Sequence, residues 1–145
     1  MTHYDAGNYA GKHQPGVTVD EKVTAAIKRK IVNGELACAQ ASRIAGSMKI
    51  DLKIVGTALD LMEVRITKCQ LGLFGHEKGA KLVKPAKIIK TDMEEAIRSA
   101  LVDGRLPCAA AWEIAAKFGV PKMRVASLCE ALKIKIISCQ LGAFK

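Results

Sequence analysis

A six-residue pattern, Cys-Gln-Leu-Gly-x-Phe, occurs at Cys69–Phe74 and again 70 residues later at Cys139–Phe144. The neighbouring residues repeat at the same offset. Residues 20–75 align with residues 90–145 without a gap, and 17 of the 56 aligned positions are identical. This register indicates a tandem duplication, which limits the fold to two copies of one small unit. A unit of roughly 56 residues is close to the lower limit for a domain that folds alone.

The amino-acid composition favours a helical, aliphatic core and a polyanionic partner. Half of the 145 residues are hydrophobic, but only 4% are aromatic. The core must therefore consist of aliphatic and alanine side chains, which suits closely packed helices. The formal net charge is +9, and an excess of this size attracts polyanions, of which nucleic acid is the most common.

Neither a membrane span nor a secretory signal is visible in the sequence. No apolar run approaches the roughly 20 residues that a transmembrane helix needs. The N-terminal stretch MTHYDAGNYAGKHQPG lacks the apolar segment of a signal peptide. We therefore expect a cytoplasmic protein with reduced thiols and without a membrane partner.

Each unit is predicted to contain three helices and a short C-terminal strand. The fold class is therefore mainly α, with two duplicated three-helix units related by a pseudo-two-fold axis. Apolar residues at helical spacing and then an alternating stretch predict, in the first unit, helices at Val17–Asn33, Leu36–Ser47 and Asp51–Val64 and a strand at Arg65–Leu71. The second unit repeats this plan with helices at Thr91–Val102, Pro107–Phe118 and Lys122–Leu132 and a strand at Lys133–Leu141.

The domain boundaries follow from composition. Residues 1–16 are polar and glycine-rich and are predicted to be a disordered tail. Residues 17–75 form the first unit, residues 91–145 the second, and residues 76–90 a linker that carries five lysines. Such a segment is either a solvated linker or a basic arm that lies along phosphates.

The segment Ile114–Leu128 has the residue types of two helices that cross closely. Ala115 is small enough for the helices to approach each other, and Gly119 suits a left-handed turn. This segment resembles the helix-turn-helix of DNA-binding regulators, and three helices followed by a strand look like a reduced winged helix. The first unit matches the pattern except that Lys49 replaces the glycine. The resemblance implies that the third helix of each unit enters the major groove of double-stranded DNA.

The charges of the two third helices indicate which unit binds DNA. Asp51–Val64 is net negative and Lys122–Lys133 is net positive, so phosphate attraction favours the second unit. We therefore expect a DNA-binding transcriptional regulator, with a structural or protein-interaction module as the alternative. The candidate DNA-binding residues are Lys122, Met123, Arg124 and Ser127 in the second unit, Lys53 and Thr57 in the first, and Lys84 and Lys87 in the linker.

The cysteines do not have the spacing of a standard zinc motif. Cys38 and Cys69 match Cys108 and Cys139, and the two thiols of each unit are 31 residues apart. We interpret them as small core residues, and the alternatives are a disulfide switch within each unit or a four-thiolate metal site shared by both. The sequence shows neither a phosphate-binding glycine loop nor a nucleophile motif. We therefore expect no enzymatic activity and no cofactor.

The two predicted strands need pairing partners for their backbone groups. The preferred prediction is that Ile66–Leu71 pairs with Ile136–Leu141 and joins the two units. The first alternative is pairing with the same strand of another chain, which would give a homodimer. The second is pairing inside each unit with an extended stretch near Glu35–Leu36.

Overall fold

The computed structural model describes residues 8–79 and 81–145, and in this part the chain is mainly helical with short strands. The chain divides into two compact units. Unit 1 contains the described residues up to Cys69 together with Gln140–Phe144, and unit 2 contains Gln70–Cys139 together with Lys145. Each unit has the order helix, strand, helix, helix, strand. The pseudo-two-fold relation between the units stays a prediction.

The six α-helices and four strands in the described residues have the following bounds. In unit 1 they are α1 (Glu21–Lys28), β1 (Glu35–Ala37), α2 (Cys38–Met48), α3 (Leu52–Leu61) and β2 (Arg65–Thr67). In unit 2 they are α4 (Thr91–Ser99), β3 (Leu106–Pro107), α5 (Cys108–Phe118), α6 (Lys122–Leu132) and β4 (Ile136–Ile137).

The first helix of each unit is shorter than predicted. The Asp20 carboxylate accepts a hydrogen bond of 2.8 Å from the Lys22 amide and caps α1. However, α1 ends at Lys28 and α4 ends at Ser99, five and three residues early. Asn33 and Gly34 have φ of 53° and 73° and form a tight turn before β1. Both residues therefore belong to this turn and lie outside α1.

The second and third helices of each unit are joined by a turn that begins in the left-handed conformation. Gly119 follows α5 with φ 64° and ψ 33°, as predicted for a residue without a Cβ. Lys49 follows α2 with φ 56° and ψ 46°. Unit 1 therefore makes the same turn without glycine. The wider helix-turn-helix assignment stays a prediction.

The strands pair inside their own units. β1 and β2 are parallel, with Leu36 opposite Ile66, and β3 and β4 are parallel, with Leu106 opposite Ile136. The predicted pairing of the two C-terminal strands with each other is therefore wrong, and the alternative within each unit is confirmed. Each of these four strands contributes one buried apolar residue to the core of its unit.

The cores are aliphatic, as the composition predicts. Asp60 is the only buried charged residue in the described part of the chain. The largest fully buried side chains besides it are Ile27, Leu36, Val55, Leu59 and Ile66 in unit 1 and Leu71, Ile97, Leu106, Val125 and Cys129 in unit 2.

The two copies of the repeated Cys-Gln-Leu-Gly-x-Phe segment change units. After β2 the chain leaves unit 1 at Gln70, and after β4 it returns to unit 1 at Gln140. Leu71 is buried in unit 2, and Leu141 is buried in unit 1. Helix α3 accommodates the returning segment at Gly56, because a Cβ there would collide with the Leu141 carbonyl. Each copy therefore completes the core of the unit that is built mainly from the other repeat.

The segment before α1 is docked on unit 1, which differs from the expected disordered tail over residues 1–16. Its Tyr9–Lys12 forms a short 3₁₀ helix, and the Tyr9 side chain is buried. The amides of Tyr9 and Ala10 donate to the Glu63 carboxylate at 2.9 and 2.8 Å. Residues 1–7 of the predicted tail lie outside the described residues.

Candidate nucleic-acid interface

The candidate residues at the start of α6 have different surroundings. Arg124 is exposed, whereas Lys122 and Met123 are half-buried. The Lys122 ammonium lies 4.8 Å from the centre of the Trp112 ring, where the electron-rich aromatic face attracts a cation. The end of the Met123 side chain lies against Gly72. Of the two charged residues, Arg124 is exposed to solvent and Lys122 is engaged by the aromatic ring.

A cleft in unit 2 brings Arg124 together with two lysines that precede α4. Lys87, Lys90 and Arg124 line it, and Ser127 lines it from the next turn of α6. Its volume is about 320 Å³. The three basic residues are exposed, and the residues that line the cleft include no acid. Its electrostatic character is therefore that of an anion site.

The linker contacts α6 at two points. Val83 is buried, and the Ala86 amide donates to the Ser127 carbonyl at 3.0 Å. The Lys81 ammonium forms an ion pair with Glu130 at 2.9 Å. Most of the linker residues whose burial is described are nevertheless exposed, so the solvated linker and the basic arm both stay predictions. The Ala86–Ser127 hydrogen bond brings Lys87 beside α6, and Lys87 and Lys90 both line the cleft.

The other candidate residues lie outside the cleft. Lys84 is exposed on the linker and does not line it. Lys53 and Thr57 belong to α3 of unit 1. The Thr57 hydroxyl donates to the carbonyl of Lys53 at 3.0 Å, so it is directed toward its own helix. The structure therefore brings together three of the eight candidates, Lys87, Arg124 and Ser127.

An acidic residue near the end of each third helix holds the segment that precedes the first helix. In unit 1 the carboxylate is that of Asp60, which lies 2.7 Å from His13 Nε2 and 3.1 Å from Lys12 Nζ. In unit 2 it is that of Glu130, which pairs with Lys81. Asp60 and Glu130 are equivalent in the repeat. One side of α3 and one side of α6 are therefore covered by their own chain.

The positive charge is concentrated in unit 2. Unit 2 contains 13 of the 23 lysines and arginines but only seven of the 14 acids, which leaves a formal charge of +6. Unit 1 contains ten basic and seven acidic residues, which leaves +3. The long-range attraction for a polyanion is therefore stronger at unit 2.

The cysteines are placed as the core interpretation expects. Cys38, Cys69 and Cys108 are buried and Cys139 is partly buried. Among the residues that the structure describes, no three histidine, cysteine or acidic side chains are grouped as a metal site requires. Cys129 is also buried. Burial first, and the Glu130 carboxylate second, raise the pKa of its thiol from 9.0 to about 12.

Sequence reasoning missed Lys90 and Trp112 as parts of this interface. Lys90 is the last of the five linker lysines, which recur at every third position from residue 78. This regular spacing was the available signal for it. For Trp112 no signal existed, because its contact with Lys122 joins two helices through the fold.

Comparison of the chain with protein-family models, with curated proteins and with solved structures finds no match. None of the described helices combines the length and the apolarity that crossing a membrane requires.

Proposed function

We propose that this protein binds double-stranded DNA through unit 2 and acts in transcriptional regulation as a duplicated helix-turn-helix protein. The observation that carries the proposal is the convergence of Lys87, Lys90 and Arg124 on one cleft that no acid lines. The +6 charge of unit 2 adds long-range attraction to this local site.

The chemistry of the cleft suits phosphate oxygens. The Arg124 guanidinium has a planar set of donors that can contact two oxygens of one phosphate, whereas Lys87 and Lys90 act as point charges. Each phosphate that such a residue neutralises releases condensed counterions, and this release drives binding at low salt. Phosphate contacts position a protein on the duplex without reading its sequence. The cleft therefore supplies affinity and orientation.

The proposed binding mode differs from simple insertion of α6 into the major groove. The linker covers one side of α6 through the Ala86–Ser127 hydrogen bond and the Lys81–Glu130 ion pair. Lys122 is held over Trp112, and Met123 packs against Gly72. We therefore assign contacts with the DNA backbone, including those of Arg124, to the cleft.

A salt-titrated binding measurement tests this function. Fluorescence anisotropy with mixed-sequence duplexes should show binding that weakens linearly in log–log form as salt rises. The variants Lys87→Ala, Lys90→Ala and Arg124→Ala should each weaken binding and reduce the salt slope by roughly 0.9 for each lost phosphate contact.

Two matched controls make the result specific. Lys84→Ala removes the same charge from the same linker, three residues from Lys87 and outside the cleft, and Lys53→Ala removes it from α3 of unit 1. Both should change the slope less than the cleft variants. If the controls and the cleft variants lose equal affinity, the binding depends on net charge and not on the cleft. Absence of binding at low salt would reject the proposed function.

A protein-interaction module is the second candidate function. The observation in its favour is that α3 and α6 are each covered on one side by the segment before the first helix of their unit. A helix that reads bases needs an open face. Failure of every duplex to bind at low salt, with a folded protein, would favour this second function.

A further inference from the structure

The first and second helices of unit 1 border a groove that is basic. This groove between α1 and α2 has a volume of about 350 Å³. Arg29, Lys30 and Arg43 line it, and none of its lining residues is acidic. We call it the basic groove. All three of these side chains are exposed.

The corresponding helices of unit 2 border a groove of the opposite charge. This groove between α4 and α5 has a volume of about 490 Å³ and is lined by Asp92, Glu95 and Glu113, with Lys117 as the one basic residue. We call it the acidic groove. Asp92, Glu95 and Glu113 are exposed, and the Asp92 carboxylate also accepts the Met93 amide.

The two grooves are equivalent in the repeat and differ mainly in charge. Ile44 in the basic groove and Ile114 in the acidic groove occupy equivalent positions 70 residues apart. Arg43 and Glu113 are also equivalent, so the charge at this position is reversed between the copies. In the described part of the chain, none of the six charged residues that define the grooves forms an ion pair.

We propose that the acidic groove of one molecule docks on the basic groove of a second copy of this chain. The two grooves have complementary charges around an apolar floor that contains Ile44 in one and Ile114 in the other. Binding of DNA along both units would favour basic residues in both copies, whereas Arg43 and Glu113 have opposite charges. A contact between two different faces is heterologous, so an open assembly keeps one free basic groove at one end and one free acidic groove at the other.

The contact is electrostatic and therefore depends on salt and on concentration. Oppositely charged faces accelerate association and fix its register, and salt screens exposed pairs over about 10 Å at 0.1 M. The full-length, nuclease-treated protein should form dimers and larger species in low salt and become monomeric in high salt. Analytical ultracentrifugation measures both states without any DNA, so this inference can fail while the proposed DNA binding holds.

Charge-reversal variants identify the two faces. Arg43→Glu removes the basic groove and keeps the acidic one, and Glu113→Arg does the opposite. Each variant alone should stay monomeric at concentrations where the wild type associates. A mixture of the two should form a 1:1 dimer that grows no further, because only one compatible pair of grooves remains. The double variant, which lacks both grooves, should stay monomeric.

Arg65→Glu makes the same change at an exposed position of β2 outside the groove, and it should associate like the wild type. Trp112 fluorescence and circular dichroism establish that each variant is folded. The inference is overturned if the wild type stays monomeric in low salt, if the mixture does not associate, or if Arg65→Glu disrupts association as much as Arg43→Glu.

Discussion

Cys129 occupies in α6 the position that Leu59 occupies in α3, and both side chains are almost fully buried. A thiol in this position serves as a small apolar side chain. Burial disfavours the thiolate, and the Glu130 charge adds to this effect, so the pKa of the Cys129 thiol rises to about 12. In the folded protein this thiol is therefore protonated and unreactive throughout the physiological range.

The raised pKa of Cys129 predicts a loss of stability at alkaline pH. The folded state holds the proton more tightly than the unfolded state, whose thiol titrates near pH 9. The contribution to the free energy of unfolding is therefore complete below about pH 9 and is lost as the pH rises toward 12. Urea titrations between pH 7 and 11 should show a smaller alkaline decrease in Cys129→Ala than in the wild type. Parallel decreases in both proteins would contradict this assignment.

The candidate residues show what a sequence can predict about a site. Arg124 and Lys87 were predicted from charge and from their places on a helix and a basic segment, and both line the cleft. The cleft itself was not predictable, because it depends on the docking of the linker through Val83 and the Ala86–Ser127 hydrogen bond. Likewise, the engagement of Lys122 by Trp112 is a contact between helices.

At the scale of the elements, each third helix is contacted by the segment that precedes the first helix of its unit. Helix α3 contacts the Tyr9–Lys12 segment on one side and the returning Leu141 segment at Gly56. Helix α6 contacts the linker in a comparable way. These helices and α2 and α5 were predicted within a few residues, because helical periodicity is a local signal. The preferred prediction for the strand partners was wrong, because strand pairing depends on tertiary contacts.

Two glycine-to-alanine substitutions test the close approach at α3. In Gly56→Ala the new methyl group would meet the Leu141 backbone, which cannot move as a flexible side chain can. This overpacking should lower the free energy of unfolding by about 1–3 kcal/mol. Gly46→Ala is the matched control, because it is also in a helix and has no atom within 4 Å of the new Cβ. It should raise stability by about 0.5–1 kcal/mol.

Chemical denaturation followed by circular dichroism measures both variants. The informative quantity is the difference between the two substitutions, because both replace glycine by the same residue in the same kind of element. If Gly56→Ala were as stable as Gly46→Ala, the returning C-terminal segment would not contact α3 as closely as the structure indicates.

At the scale of the whole molecule, the duplicated segment Cys-Gln-Leu-Gly-x-Phe links the two units through exchange. Gln70 begins the part of the first repeat that belongs to unit 2, and Gln140–Phe144 of the second repeat belongs to unit 1. The repeat itself was visible in the sequence because it needs only an alignment. The exchange could not be predicted from the sequence. The two copies of the segment have the same pattern, so either copy could pack in either unit.

The exchange predicts that each repeated leucine stabilises the helices of the other repeat. Leu71 and Leu141 are equivalent, have exposures of 0% and 2%, and lie in unit 2 and unit 1 respectively. Replacing either by alanine leaves a cavity and should cost about 2–5 kcal/mol in the unit that loses the side chain. Hydrogen exchange measured by mass spectrometry should therefore show faster exchange in α4–α6 for Leu71→Ala and in α1–α3 for Leu141→Ala.

The two variants are each other's controls, since they make the same change at equivalent positions. Faster exchange in the helices of the leucine's own repeat would show instead that each segment packs where its sequence neighbours do.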